Sequence, residues 1–319
     1  IDTDSFDSSD PNYSTDGRYD PDPLKTKANG SVATNSGLTN SLNVGNANIM
    51  GKVSTGPGGS VDIGPQGIVG DKPWHDNMNK GIKPGWAADD MNVDFPDVEG
   101  VTASGAYTPG PAVIDGEVFN YVLNDGSYVL SSLYLSGDMK MKVTGDANLY
   151  VLGPISISGN ASIIIEETGS LALYTGGATA TISGNGVINK TGKAENFTYW
   201  GLPSHRYVSF GGNGEFVGVI YAPNADFELN GGGREGGIDF VGASVTKTAT
   251  LLGHFKFHYD EALNNVGPTR GYVVTTWNEM RPEEVKGSPW ESSDSNEQPI
   301  SEPIDKTDPT YPLDPVVYY

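Results

Sequence analysis

The chain has 319 residues, with Gly 43, Pro 21 and Cys 0, and 40 acidic against 19 basic residues leave a net charge of −21. The lack of cysteine excludes disulfides, Cys-ligated zinc and thiol nucleophiles, and the acidic excess argues against DNA, RNA or anionic lipid, whose phosphates require Lys or Arg. No apolar run approaches the ~20 residues of a membrane span, and no long amphipathic stretch marks a helical or α/β domain; short apolar runs punctuated by glycine point to an all-β chain. The sequence starts at Ile1 without an initiator Met or signal pattern, and reads as a processed or trimmed product.

Residues 1–40 are polar and rich in aspartate (Asp2, Asp4, Asp7, Asp10, Asp16, Asp20, Asp22), and read as an acidic extended segment. Calcium, which takes about six to eight oxygen ligands, is the one cofactor this run suggests. It matches neither an EF-hand loop nor a Gly-Gly-x-Gly-x-Asp repeat, and Asx turns are the simpler use of these residues. Residues 41–75 read as the first short solenoid coils: VGNANIMG (44–51) recurs 19 residues later as IGPQGIVG (63–70), with Val44 matching Ile63, Gly45 Gly64 and Ile49 Ile68. Residues 76–127, which include Trp86 and DDMNVDFPDV, read as an irregular excursion packing aromatics along the stack.

Residues 128–264 carry the main repeat. Ser-Gly corners stand at Ser136-Gly137, Ser158-Gly159 and Ser183-Gly184, and Thr-Gly corners interleave with them at Thr144-Gly145, Thr168-Gly169 and Thr191-Gly192. FVGVIYAPNADFELNG (216–231) is followed 24 residues later by FVGASVTKTATLLGH (240–254). Between corners the strands alternate, with Met139, Met141 and Val143 on one face and Lys140 and Lys142 on the other. Strands this short cannot bury a core alone, so each must stack on its copy one turn away. The expected fold is therefore all-β, a right-handed parallel β-helix with a long excursion and extended termini. A β-sandwich also has short strands, but gives no reason for corner spacing to recur. Residues 265–281 hold one more strand, GYVVTTWNEM (271–280). Residues 282–319 form an acidic, Pro-rich extended tail ending in Val316, Val317, Tyr318 and Tyr319.

GHFKFHYDEAL (253–263) is the stretch that most resembles chemistry, since it holds His254 and His258 in a chain of four histidines. On a strand the two imidazoles lie about 13 Å apart, too far to share a metal. Alternation directs Phe255, Phe257 and Tyr259 into the core and His254, Lys256, His258 and Asp260 outward. Asp260 then N-caps a short turn, DEALNN, and the stretch Phe255, Phe257, His258, Tyr259 and Asp260 reads as the cap that closes the solenoid. Polysaccharide lyases and hydrolases also use β-helices, but pectin hydrolases need paired Asp with Gly-His-Gly and Arg-x-Lys. This chain offers Gly253-His254-Phe255 and five arginines, Arg18, Arg206, Arg234, Arg270 and Arg281.

DSFDSSDPNYSTDGRYD (4–20), NGSVATNS (29–36), VGNANIMGKVSTGPGGSV (44–61), GWAADDMNVDFPDV (85–98) and FVGASVTKTATLLGHFKFHYDEAL (240–263) together resemble uncharacterised bacterial surface proteins of the Verrucomicrobia and planctomycete type, in which a pilin-like N-terminal anchor precedes a β-solenoid. The resemblance implies a cell-surface or extracellular location and this architecture. The hydrophobic anchor is missing here, so direct membrane insertion of this form is not expected. The functional expectation is a non-catalytic structural subunit that assembles with itself into a filament or pilus-like appendage. Its docking contacts would be Ile1 and Phe6, or Val316, Val317, Tyr318 and Tyr319. A surface adhesin or carbohydrate-binding module that recognises surface polysaccharide is the alternative, and a polysaccharide-cleaving enzyme comes after both.

Overall fold

A computed structural model describes residues 1–99, 105–212, 215–231, 238–253 and 255–265. Its strands stack in parallel as a β-solenoid of about nine turns, and the largest sheet holds 15 strands. Each full coil of the main stack runs through three faces in the same order, for example Ser170–Thr175, Thr179–Ile182 and Gly186–Asn189. Strands of successive coils pair in parallel, as Ser170–Thr175 does with Asp146–Val151 before it and Phe197–Gly201 after it, although the third-face ladder ends at Gly186–Asn189.

The corners explain why the stack is regular. Gly137, Gly159 and Gly184 have φ of 61°, 73° and 74°, the left-handed region that glycine enters without steric cost. They also lie on one another: a Cβ on Gly184 would stand 2.2 Å from the Gly159 carbonyl oxygen. The Thr-Gly corners differ, since of the three only Gly192 has positive φ. At Gly145 it is crowding that requires glycine, because a Cβ would stand 2.2 Å from Asp125 Oδ1.

Alternation fills the interior. Met141, Val143, Leu171 and Leu173 are buried, in one cluster with Leu149, Val151, Ile155, Ile157, Ile163 and Ile165. Phe216 and Phe240 pair with the anticipated offset of 24. Their rings stack with centroids 4.5 Å apart, and Phe257 continues the pile 4.6 Å beyond, each pair contributing about 0.5–1.5 kcal/mol beyond its buried area. The first repeat is shifted by one residue from the sequence match: Ile49 pairs with Val69, not Ile68. The shift arises in the turn between the strands: Gly45, with φ of 52°, lies opposite Ile63 and Asn48 lies opposite Ile68, so the second coil takes two more residues than the first to make this turn.

Three segments depart from the expected organisation. Residues 1–40 are not simply extended, because Asp2–Phe6 lies inside the main sheet, paired with Phe255–Asp260 on one edge and Asn48–Met50 on the other. The excursion is shorter than 76–127. Gly81–Ile82 and Ala87–Ala88 still pair with the first coils, while Tyr121–Leu123 and Gly126–Leu130 already belong to the main stack. Between these parts, Ala112–Ile114 and Glu117–Phe119 form an antiparallel hairpin whose Asp115-Gly116 turn has positive φ at both residues, the geometry that matches strand twist. Finally, the expected cap Phe255–Asp260 is an inner strand of the ladder, continued by Asp2–Phe6. The strand expected at 271–280 lies outside the described residues.

Gly184→Ala should lower the free energy of urea unfolding by at least about 3 kcal/mol, combining the positive-φ penalty with displacement of the adjoining coil. Gly116→Ala, where φ is 82° but nothing lies within 4 Å of an added Cβ, should cost only about 1–2 kcal/mol. Equal losses at the two sites would contradict the stacked-corner explanation.

Candidate functional site

A group of ionisable side chains joins the main stack to the N-terminal coils. His258 is 3% exposed, although alternation directs it to the outer face as expected. That face is roofed by the N-terminal loop, and the Tyr19 ring stacks on the imidazole with centroids 3.6 Å apart. His258 Nδ1 donates to Asp4 Oδ1 at 2.6 Å, and Nε2 lies 3.5 Å from Asp239 Oδ1, at ion-pair distance. The Tyr19 hydroxyl donates to Asp4 Oδ2 at 3.2 Å. Burial opposes a charge on His258, but the Asp239 and Asp4 carboxylates outweigh it and hold the imidazole above its ordinary value. Burial, reinforced by Asp4, drives the Tyr19 hydroxyl upward. Glu215 is near enough to interact with His258, Asp239 and, beyond them, Arg18.

Around this core the N-terminal strand makes further side-chain bonds. Ser5 Oγ donates to Glu261 Oε1 at 2.7 Å, Asn29 Nδ2 donates to the same oxygen at 2.8 Å, and Lys27 pairs with the other carboxylate oxygen. Asp260, which the sequence placed on an exposed face, is 2% exposed. Its Oδ1 accepts from the Ser8 N–H at 2.9 Å and from the Ala262 N–H at 3.1 Å, which caps the turn Glu261–Asn265. Burial pushes its carboxyl upward. Phe255 and Tyr259 are buried, and Phe257 is partly buried against the same core.

Phe6 is 1% exposed, packed with Ala194, Val217 and Val241 and edge-on to Tyr19. It is committed to this chain's own second core and is not available as an assembly contact. Ile1 is 38% exposed at the start of the same strand. Val316, Val317, Tyr318 and Tyr319, like His254, lie outside the described residues. From sequence, Asp4 stands out only as one of the N-terminal aspartates and Tyr19 not at all, because nothing local ties either to His258, about 240–250 positions away.

The junction has the composition of acid–base machinery without its layout. Both imidazole nitrogens face carboxylates and a ring covers the face. The other described histidines are also engaged: His205 donates from Nδ1 to the Gly177 carbonyl and accepts at Nε2 from the Tyr199 hydroxyl, and His75 Nε2 donates to the Ile49 carbonyl. Among the described residues no group of three His, Asp or Glu side chains is arranged to hold a metal ion. The N-terminal aspartates instead make Asx turns, Asp7 to the Ser9 N–H, Asp10 to Asn12, Asp20 to Asp22 and Asp22 to Leu24.

Beside the junction opens a cleft of about 830 Å³. Its floor is apolar, with Ile49, Phe227, Leu251 and Phe257, and its rim carries Asn35, Ser36, Lys247 and Thr248. Two of its walls are the segments 30–36 and 244–251, and residues 41–44 and 91–95 also line it.

His258→Ala should destabilise the chain by about 3–5 kcal/mol, since Asp4 and Asp239 would lose their buried counter-charge. A raised folded-state pKa means that this stability is fully present below the unfolded value of 6.5 and is lost as pH rises through the folded value. The raised Asp260 carboxyl has the same sign, but its contribution is lost from its unfolded value of 3.8 upward, so His258 carries the change above pH 6. Chemical-denaturation midpoints should therefore fall from pH 6 to pH 9, with a flatter profile in His258→Gln; a midpoint that climbs over this range would contradict the assignment.

No curated protein and no solved structure matches the chain. A family model described as a domain of unknown function, DUF7305, matches residues 98–266, a segment that begins just before the hairpin and ends where the Glu261–Asn265 turn leaves the ladder. On that match, which spans just over half of its length, the chain belongs to the DUF7305 family.

Proposed function

We propose that this chain is a non-catalytic structural protein of the bacterial exterior, a β-solenoid subunit that assembles with copies of itself into a filament. The observation that carries this reading is the use made of the reactive side chains. His75, His205 and His258 bond to backbone carbonyls or buried partners of the fold, and the aspartates that would suit a cation close turns instead. The resemblance to bacterial surface proteins and the net charge of −21, which repels phosphate-bearing partners, support the same view. The subunit needs no resident cofactor.

The glycan-binding alternative has one concrete candidate surface, and its geometry speaks against it. Tyr150, Tyr174 and Trp200 form an aromatic row on the outside of the stack, with Tyr221 after them. Tyr150 and Tyr174 stack at 4.9 Å, and Tyr174 and Trp200 at 6.2 Å. Rings that face one another present edges outward, whereas sugars stack on open ring faces. The Tyr221 hydroxyl is also engaged, donating to the Pro96 carbonyl.

With Phe6 committed to the core, assembly falls to the C-terminal side, where residues 282–319 end in Val316, Val317, Tyr318 and Tyr319. Electron microscopy and sedimentation of the intact chain should show oligomers or filaments, and deletion of 266–319 should leave monomers. A strictly monomeric intact protein, or assembly unchanged by the deletion, would refute the proposal.

A further inference from the structure

The cleft beside the junction has the form of one absent strand. In the main stack the chain passes from the first face to the second over links of three to five residues, Val151 to Ile155, Thr175 to Thr179 and Gly201 to Tyr207. On the second face the ladder runs through Tyr207–Gly212 to residues 226–231 and then 248–253. The coil built on Phe255–Asp260 supplies no second-face strand among the described residues. In the next coil Val32–Ala33 follows, paired with Val53–Ser54. Residues 248–253 and Val32–Ala33 thus each have one described partner and turn their other edges toward a shared gap. Two strands flanking a vacant position stand about 9.6 Å apart, room for one backbone that could bond to both. The apolar floor and polar rim then suit a strand whose side chains alternate inward and outward.

We infer that this slot receives a β-strand from a second copy of the chain, residues 271–277 (Gly-Tyr-Val-Val-Thr-Thr-Trp), so that neighbouring subunits are joined by strand addition. The stretch is uncharged and made of strong strand formers, and Pro282 closes the region after it. The family match ends at residue 266, so the donor strand lies outside the matched segment. A donor and an acceptor slot on the same chain form a head-to-tail contact, the kind that propagates into open filaments. Two edges facing one gap are a template for such pairing. This inference rests on the self-assembly reading above and names its contact.

The chain has no cysteine, which makes the test direct. One full-length variant carries Thr248→Cys on the wall of the slot; a second carries Val273→Cys or Val274→Cys, covering both faces of the incoming strand. Mixed and oxidised, the two should give a disulfide-linked heterodimer with one of the two donor positions. Adding Val274→Pro to the Val273→Cys donor, or Val273→Pro to the Val274→Cys donor, should reduce that product at least tenfold. Three results would overturn the inference: no crosslink at either position; a crosslink insensitive to proline; or an intramolecular link in a chain carrying both cysteines without heterodimer, which would assign the slot to the chain's own segment. Sedimentation of the same samples separates the two claims. Assembly without the crosslink removes only the strand contact, whereas absence of assembly removes the underlying reading as well.

Discussion

The five residues Asp2–Phe6 hold together two stacks that are far apart in sequence. They pair in parallel with Phe255–Asp260 on one edge and with Asn48–Met50 on the other. Without them the DUF7305 coils would end at an open strand, and the first coils would have no neighbour on that face. Backbone pairing alone would accept almost any sequence here. Side chains fix the register: Asp4 opposite His258, Ser5 bonded to Glu261, and Phe6 in a core with Val217 and Val241.

The covered outer face follows from that insertion. The loop after Phe6 returns across the strand, bringing Tyr19 over His258 and Arg18 to the Lys190 carbonyl at 2.6 Å. A position that alternation marks as exposed thereby becomes one where a carboxylate and an imidazole meet away from water. Buried ionic pairs contribute less to net stability than to specificity, because desolvation offsets much of their attraction. At this junction they distinguish the correct register from neighbouring ones, which a polar strand such as Asp-Thr-Asp-Ser-Phe could not do by hydrophobic pattern alone.

What could be read from the sequence divides along physical lines. Repetition was legible because stacked coils place identical demands on equivalent positions: the Ser-Gly corners recur, and Phe216 and Phe240 keep their offset. The Asp115-Gly116 hairpin signal was also present, but it lay in a region taken as irregular. Asp2–Phe6 was not legible, since its stability comes from partners some 250 residues away and its alternation is polar. The burial of His258 and Asp260 was hidden for the same reason, because periodicity reports which face a residue occupies and not what covers that face. The one-residue slip at Ile49 came from a longer turn in the second coil, between Ile63 and Ile68, that an alignment without gaps cannot express.

The central claim is that one polar strand holds two stacks in a single ladder, and amide hydrogen exchange on a Ser5→Pro variant tests it most directly. Proline removes the N–H that Ser5 donates to the Lys27 carbonyl, cannot keep the Ser5 contact with Glu261, and sets its ring in the middle of a strand held on both sides. The account predicts faster exchange in both Phe255–Tyr259 and Asn48–Met50, with Leu149–Val151 in the main stack unchanged. Unchanged protection on both flanks, or loss confined to one, would show that the stacks do not depend on this strand.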